Sequence, residues 1–246
     1  MKNKVYIGCS GFTERLWKGF FYPEELAAKE YLSFYSKYLN AVEINSTFYR
    51  KPTLKTLEKW FDETEDNFKF FIKIPKAITH IKKLAETEID TSEFCTHISS
   101  VLKEKLAGFL FQLPPLFQFS EENLQKVLNT VDENYLNVVE FRHQSWWTSE
   151  VFETLKTKNI IFSGVSIPRD IPDVFIVNNE KFSYYRLHGK PAMFKSEYSE
   201  TELKKLATDI QKFEGTTFVF FNNTYGIAGI KNALYLKEIV ERDSIK

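Results

Sequence analysis

Three side chains in this sequence are suited to proton transfer: Glu43, Glu140 and His188. Two neighbouring carboxyls push their pKa values apart, so one can serve as acid and the other as base. A histidine titrates nearest neutral pH and could replace either. Arg142 and Arg186 offer forked donors that match carboxylate or phosphate, and Lys73 offers a point charge. Ser10, Asn45, Gln112 and Asn222 could orient hydroxyls, while Tyr49 and Trp147 could stack a planar group. The chemistry expected is metal-independent general acid–base catalysis on a polar, anionic small molecule. Hydrolysis of a phosphate-containing or glycosidic substrate is the favoured reaction. Two other readings stay open. The arginines could merely neutralise the glutamates in a barrel that binds a ligand or nucleic acid without catalysis. Alternatively, Glu43, Glu140 and His188, with Asn45 or Gln112, could hold a divalent metal for an isomerase or lyase, although no strand-end aspartate accompanies them.

Periodicity supplies the means of bringing these residues together. Asn137-Val138-Val139-Glu140-Phe141-Arg142 reads as a buried strand that finishes in charge, with Glu140 and Arg142 on the face opposite Val139 and Phe141. Ala41-Val42-Glu43-Ile44-Asn45 repeats the pattern, and Arg186 and His188 share a parity in Tyr184-Tyr185-Arg186-Leu187-His188. Strands are also predicted at residues 4–8, 68–74, 106–112, 160–165 and 217–223. Pro114-Pro115 ends the strand at 106–112 firmly. Between the strands fall helical stretches at 27–39, 53–60, 91–103, 120 onward, 148–156, 198–213 and 230–240, while 168–180 reads as a loop. Eight strands alternating with helices predict a single (β/α)8 barrel of the TIM type, one domain over residues 1–246. All the polar candidates would then meet at the face formed by the strands' C-terminal ends. The spacing of Gly8, Gly11 and Gly19 matches neither the dinucleotide fingerprint nor the phosphate-binding loop, which disfavours a doubly wound nucleotide fold.

Lys plus Arg equals Asp plus Glu at 33 each, so no global field draws in nucleic acid or an anionic membrane. A nucleic-acid partner is therefore disfavoured. No secretion signal or membrane-length apolar run is present, and Cys9 and Cys95 lack metal-ligand spacing. The expectation is a cytoplasmic protein with no cofactor, no membrane partner and a polar or anionic small-molecule ligand.

Several segments, taken in order, resemble the marker segments of the DUF72, or YecE-like, family. They are Ile7-Gly8-Cys9-Ser10-Gly11-Phe12, Trp17-Lys18-Gly19 through Phe21-Tyr22-Pro23, Val42-Glu43-Ile44-Asn45-Ser46-Thr47-Phe48-Tyr49, Phe111-Gln112-Leu113-Pro114-Pro115, Val139-Glu140-Phe141-Arg142-His143 with Ser145-Trp146, and Tyr185-Arg186-Leu187-His188-Gly189. The resemblance runs from about residue 4 to the final helical stretch. It implies a TIM-type barrel with these polar segments around its cleft, and it implies no reaction. Cys9 stands where members of that family often have Thr, and Phe12 where Trp is common.

Overall fold

The structure is a computed structural model that describes residues 4–243. Nine parallel strands make two sheets among the described residues. The first has the order β1-β9-β8-β7, with β1 at Lys4–Cys9, β7 at Gly164–Ser166, β8 at Phe182–Leu187 and β9 at Thr216–Phe221. The second has the order β2-β3-β4-β5-β6, with β2 at Ala41–Ile44, β3 at Lys69–Lys73, β4 at Leu106–Gln112, β5 at Asn137–Glu140 and β6 at Ile160–Phe162. The helices are α1 (Tyr31–Tyr35), α2 (Leu54–Asp62), α3 (Glu88–Leu102), α4 (Glu121–Thr130), α5 (Ser149–Thr157), α6 (Glu200–Gln211) and α7 (Ala228–Asp243).

Local chemistry sets the helix starts. Ser120 accepts a hydrogen bond from Asn123 N at 3.1 Å to cap α4, whose first turn carries Glu121 and Glu122. Ser199 and Glu202 cap α6 reciprocally. Helix α1 is shorter than the 27–39 periodicity predicts, because residues 28–30 close as a 3-10 turn and the chain after Tyr35 continues in turns that mix three- and four-residue hydrogen bonds. An apolar stripe reads alike through both turn types.

The sixth predicted strand, 160–165, is interrupted at Ser163 and becomes β6 and β7 in different sheets. At that break the Asn178 side chain occupies the edge of β6, accepting from Phe162 N at 2.9 Å and donating to Ile160 O at 3.0 Å. Another asparagine works at the opposite junction. Asn40, just before β2, accepts from Ile7 N at 2.8 Å and donates to Val5 O at 2.9 Å on β1. Tyr35 adds a second bridge, its hydroxyl accepting from Cys9 N at 2.7 Å and donating to Ala41 O at 3.0 Å. The chains approach so closely there that a Cβ on Gly8 would fall 2.0 Å from Ala41 O, which explains the glycine.

One apolar cluster draws residues from both sheets: Ala41, Phe71, Leu110, Val138, Ile161, Tyr184, Phe218 and Phe220. Phe71 packs edge-on to Tyr184 at 4.6 Å and to Phe218 at 5.0 Å between ring centroids. Strand alternation makes this cluster the floor of the polar site. Glu43, Lys73, Gln112, Glu140, Arg186 and Asn222 each lie two residues beyond one of its members, on the same face and nearer the strand's C-terminal end. A second, larger cluster packs the opposite faces of the strands against the helices.

Candidate functional site

Three strands of the two sheets, β2, β5 and β8, deliver side chains to one buried ion-pair network. Arg186, near the end of β8, is fully buried and divides its guanidinium between two carboxylates. Its Nη2 donates to Glu43 Oε1 at 2.6 Å and its Nη1 to Glu140 Oε2 at 2.5 Å. Arg142, two residues past Glu140, donates from Nε to Glu140 Oε1. Glu43 also accepts from Ser10 Oγ at 2.6 Å and from the Tyr184 hydroxyl at 2.5 Å. Burying two carboxylates is tolerable only with such pairing.

The network fixes the charge states. Burial alone would raise the Glu43 carboxyl, but Arg186 and the hydrogen bonds from Arg186, Ser10 and Tyr184 hold it below the usual carboxylate range. Burial opposes ionisation of Glu140 too, and is outweighed by Arg142, Arg186 and His188, which leave it well below that range. Both glutamates are anions at neutral pH. His188 is fully buried; burial and then Arg142 lower its pKa to about 3, so the ring is neutral. Its Nε2 lies 3.1 Å from Arg142 Nη2 and 3.3 Å from Glu140 Oε2, and its Nδ1 lies 2.9 Å from Asn222 Nδ2. Arg142 Nη2 can only donate, so its partner Nε2 is the unprotonated ring nitrogen, which disfavours an imidazolium.

Lys73, at the end of β3, is half-buried and pairs with no carboxylate among the described residues. Its Nζ donates to Gln112 Oε1 at 2.9 Å and stands 4.2 Å from the centre of the Phe48 ring. Burial, reinforced by Arg186, lowers its pKa to about 8. Gln112 is fixed in turn by donating from Nε2 to Leu113 O at 2.8 Å. Asn45, half-buried just past β2, has a buried Oδ1 with no hydrogen-bond partner, and Arg186 Nε is likewise unpartnered. Buried polar atoms are seldom left so, and Arg186 Nε marks unused hydrogen-bonding capacity in the network, while no side-chain hydrogen bond ties Asn45 to it among the described residues.

Of the sequence candidates, Ser10, Glu43, Lys73, Gln112, Glu140, Arg142, Arg186, His188 and Asn222 are thus linked by contacts or by direct charge interaction. Tyr49 and Trp147 are not. Tyr49 is 82% exposed on the turn after β2, touching Phe48, and Trp147 packs on Phe162 among the strand-to-helix contacts. Two neighbours escaped the sequence reading. Tyr184 shares the parity of Arg186 and His188, so extending the alternation one step would have found it. His80 lies 3.5 Å from Gln112 across their Nε2 atoms, its pKa lowered to about 4 by burial and then Lys73. The sequence around His80 carries no strand pattern to signal this.

No three His, Cys, Asp or Glu side chains group as a metal cluster among the described residues. A guanidinium occupies the space between the two glutamates, where a cation would have to compete with it. Among the described residues no helix is long and apolar enough to cross a membrane.

Comparisons with known proteins cover nearly the whole chain. The UPF0759 protein YunF of Bacillus subtilis strain 168 is 27% identical over 272 residues, spanning 96% of this chain and 95% of its own. The crystal structure of a DUF72 family protein from Thermotoga maritima MSB8 matches with a TM-score of 0.86 at 32% identity, covering 97% of this chain and 100% of that one. Another DUF72 family structure, from Enterococcus faecalis V583, gives a TM-score of 0.79 at 20% identity over 96% of this chain and 95% of that one. The family described as "Protein of unknown function DUF72" matches residues 6–245, and the chain belongs to it.

Proposed function

We propose that the two sheets are arcs of one closed (β/α)8 barrel domain and that the polar network is the active site of a hydrolase acting on an anionic, phosphate-containing small molecule. Barrel closure is supported by the side-chain bridges of Asn40 and Asn178 and by the apolar cluster common to both sheets. The observation that carries the functional reading is the charge balance. Arg142, Arg186 and Lys73 oppose Glu43 and Glu140, and Lys73 is the cation without a carboxylate partner. One positive charge is left over in a largely buried cluster, where it acts strongly on an anion that reaches it.

Roles follow from protonation. Both glutamates are held as anions, so neither supplies the proton that a glycosidic leaving group needs from a carboxylic acid, which favours the phosphate-containing substrate. Lys73, at about pKa 8, is the proton donor for the leaving oxygen at neutral pH. Glu43 is fully buried and reaches the cleft through Ser10, whose hydroxyl passes the attacking water's proton to it. A loose phosphoryl-transfer transition state asks little basicity of that acceptor. Arg142 and Arg186 stabilise charge on the transferring group, while Asn45 and Gln112 orient it. His188 and Asn222 position Glu140 and Arg142.

Calorimetric titration with inorganic phosphate at pH 7 tests the anion site. Wild type binds, and Lys73→Met weakens binding about tenfold or more, the loss of roughly one charge-assisted hydrogen bond. Equal binding by both proteins would refute the assignment of Lys73.

A further inference from the structure

Beside the network, and meeting it at Phe48, runs an open groove that the network side chains do not line. Its inner wall is the 3-10 turn Ser46–Phe48 after β2, and its outer wall is the π-helical turn Ala77–Ile81 after β3, backed by α3. Contact with the network is direct. Phe48 lines the groove and also lies under Lys73 Nζ, Thr47 Oγ1 donates to Lys73 O at 2.7 Å, and the Phe48 ring meets His80 edge-on at 4.9 Å.

Two features give the groove a ligand chemistry. The first is apolar surface: Tyr49 is 82% exposed and Ile81 69% exposed, and both line it. Ile81 is held outward by a turn of a type that often marks functional sites. The next residues, Lys83, Leu84 and Glu86, have φ values of 49°, 63° and 51°, a conformation that side-chain-bearing residues seldom adopt. The second feature is charge. Arg50, Lys51, Lys76 and Lys82 line the groove against Asp90 and Glu93. Lys82 pairs with Asp90 at 2.6 Å, and no ion pair engages Arg50, Lys51 or Lys76 among the described residues.

We propose that this groove is the leaving-group subsite of the cleft, taking a planar or extended apolar group that carries a negative charge of its own. Tyr49 and Ile81 cover the apolar part, and Arg50, Lys51 and Lys76 attract its charge. The position suits the assignment, since the ammonium assigned to the leaving oxygen stands directly over the ring that begins the groove. The inference rests on the hydrolase reading and narrows it: the substrate is a phosphate ester of an anionic aromatic or long-chain alcohol, and not of a small neutral one. Binding energy gained away from the scissile bond then positions that bond.

Binding of three probes decides it: methyl phosphate, phenyl phosphate and 4-carboxyphenyl phosphate, titrated calorimetrically into wild type, Tyr49→Ala/Ile81→Ser and Lys51→Glu/Lys76→Glu. Both sets of changes are on exposed side chains, and circular dichroism and melting temperature confirm folding. Wild type is expected to bind the three with affinity rising in that order, about tenfold from methyl to phenyl. The apolar double variant loses the phenyl advantage while keeping methyl phosphate affinity. The charge-reversed variant loses the further gain from the carboxylate. If the ratio of phenyl to methyl affinity is the same in wild type and Tyr49→Ala/Ile81→Ser, the subsite is refuted while the anion cleft stands. If no phosphate probe binds wild type, the cleft reading falls and the subsite with it.

Discussion

Arg186 and Glu43 belong to different sheets, β8 and β2, and meet with Nη2 2.6 Å from Oε1, both fully buried. The same guanidinium reaches Glu140 on β5 at 2.5 Å, so one cation ties together three strands and offsets two buried anions. Such a residue is a structural keystone as well as an electrostatic one. Arg186→Met should destabilise the fold by about 3–5 kcal/mol, because it strands buried carboxylates. Pairing it with Glu43→Gln should recover part of that loss. Urea denaturation of the two variants measures both effects, and an Arg186→Met midpoint equal to wild type would contradict the network.

Acid should unfold this protein early. In the unfolded chain His188 binds a proton near its ordinary pKa of 6.5, whereas in the fold it does so only at about 3. Across that window the unfolded state holds more protons, so stability falls as pH drops, by up to about 1.4 kcal/mol per pH unit for this group. Glu43 and Glu140, whose pKa values are also lowered by folding, add loss of the same sign at lower pH. Denaturation midpoints measured from pH 7 to pH 4 should decline steadily, and less steeply between pH 6.5 and 5 in His188→Gln. Parallel profiles for the two proteins would show that His188 is not buried neutral.

The junction between β1 and β2 offers a separate test of the fold. Asn40 satisfies Ile7 N and Val5 O with its side chain. Asn40→Ala leaves both main-chain groups without that partner and should cost about 2–6 kcal/mol by chemical denaturation, at about 1–3 kcal/mol per unsatisfied group. A change under about 0.5 kcal/mol would mean that the junction is open to solvent and the sheets are not joined there.

Alternation along strands was the most legible feature of the sequence. The parity of Glu140 with Arg142, and of Arg186 with His188, is a property of neighbouring residues, and it places charge on one face before any tertiary contact is known. The charge states were not legible. Reasoning from two like charges suggested one protonated glutamate, but Arg186 comes from a strand far along the chain and lies between them, so both ionise. Nor was the break at Ser163 visible, since it depends on Asn178, a residue in the following loop, filling the edge of β6. Tyr49 and Trp147 resembled stacking groups by type alone, and the structure separates them, with Tyr49 on an exposed groove and Trp147 against the core. Neither has strand parity with the network, and aromatic type without a position does not separate a core ring from a rim ring.

Turnover by a variant that keeps the charge and removes the titration separates proton donation by Lys73 from anion binding. Wild type and Lys73→Arg are incubated with a mixture of anionic cell metabolites across pH 6–10, and consumption is followed by mass spectrometry. Wild type should deplete a phosphate-containing compound, with the rate falling above about pH 8 as Lys73 loses its proton. Lys73→Arg should bind that compound with similar KM while kcat drops about 10²–10⁴-fold, since a guanidinium holds the anion but does not yield a proton near neutral pH. The account is contradicted if wild type consumes no anionic compound, or if Lys73→Arg matches the wild-type rate throughout that pH range.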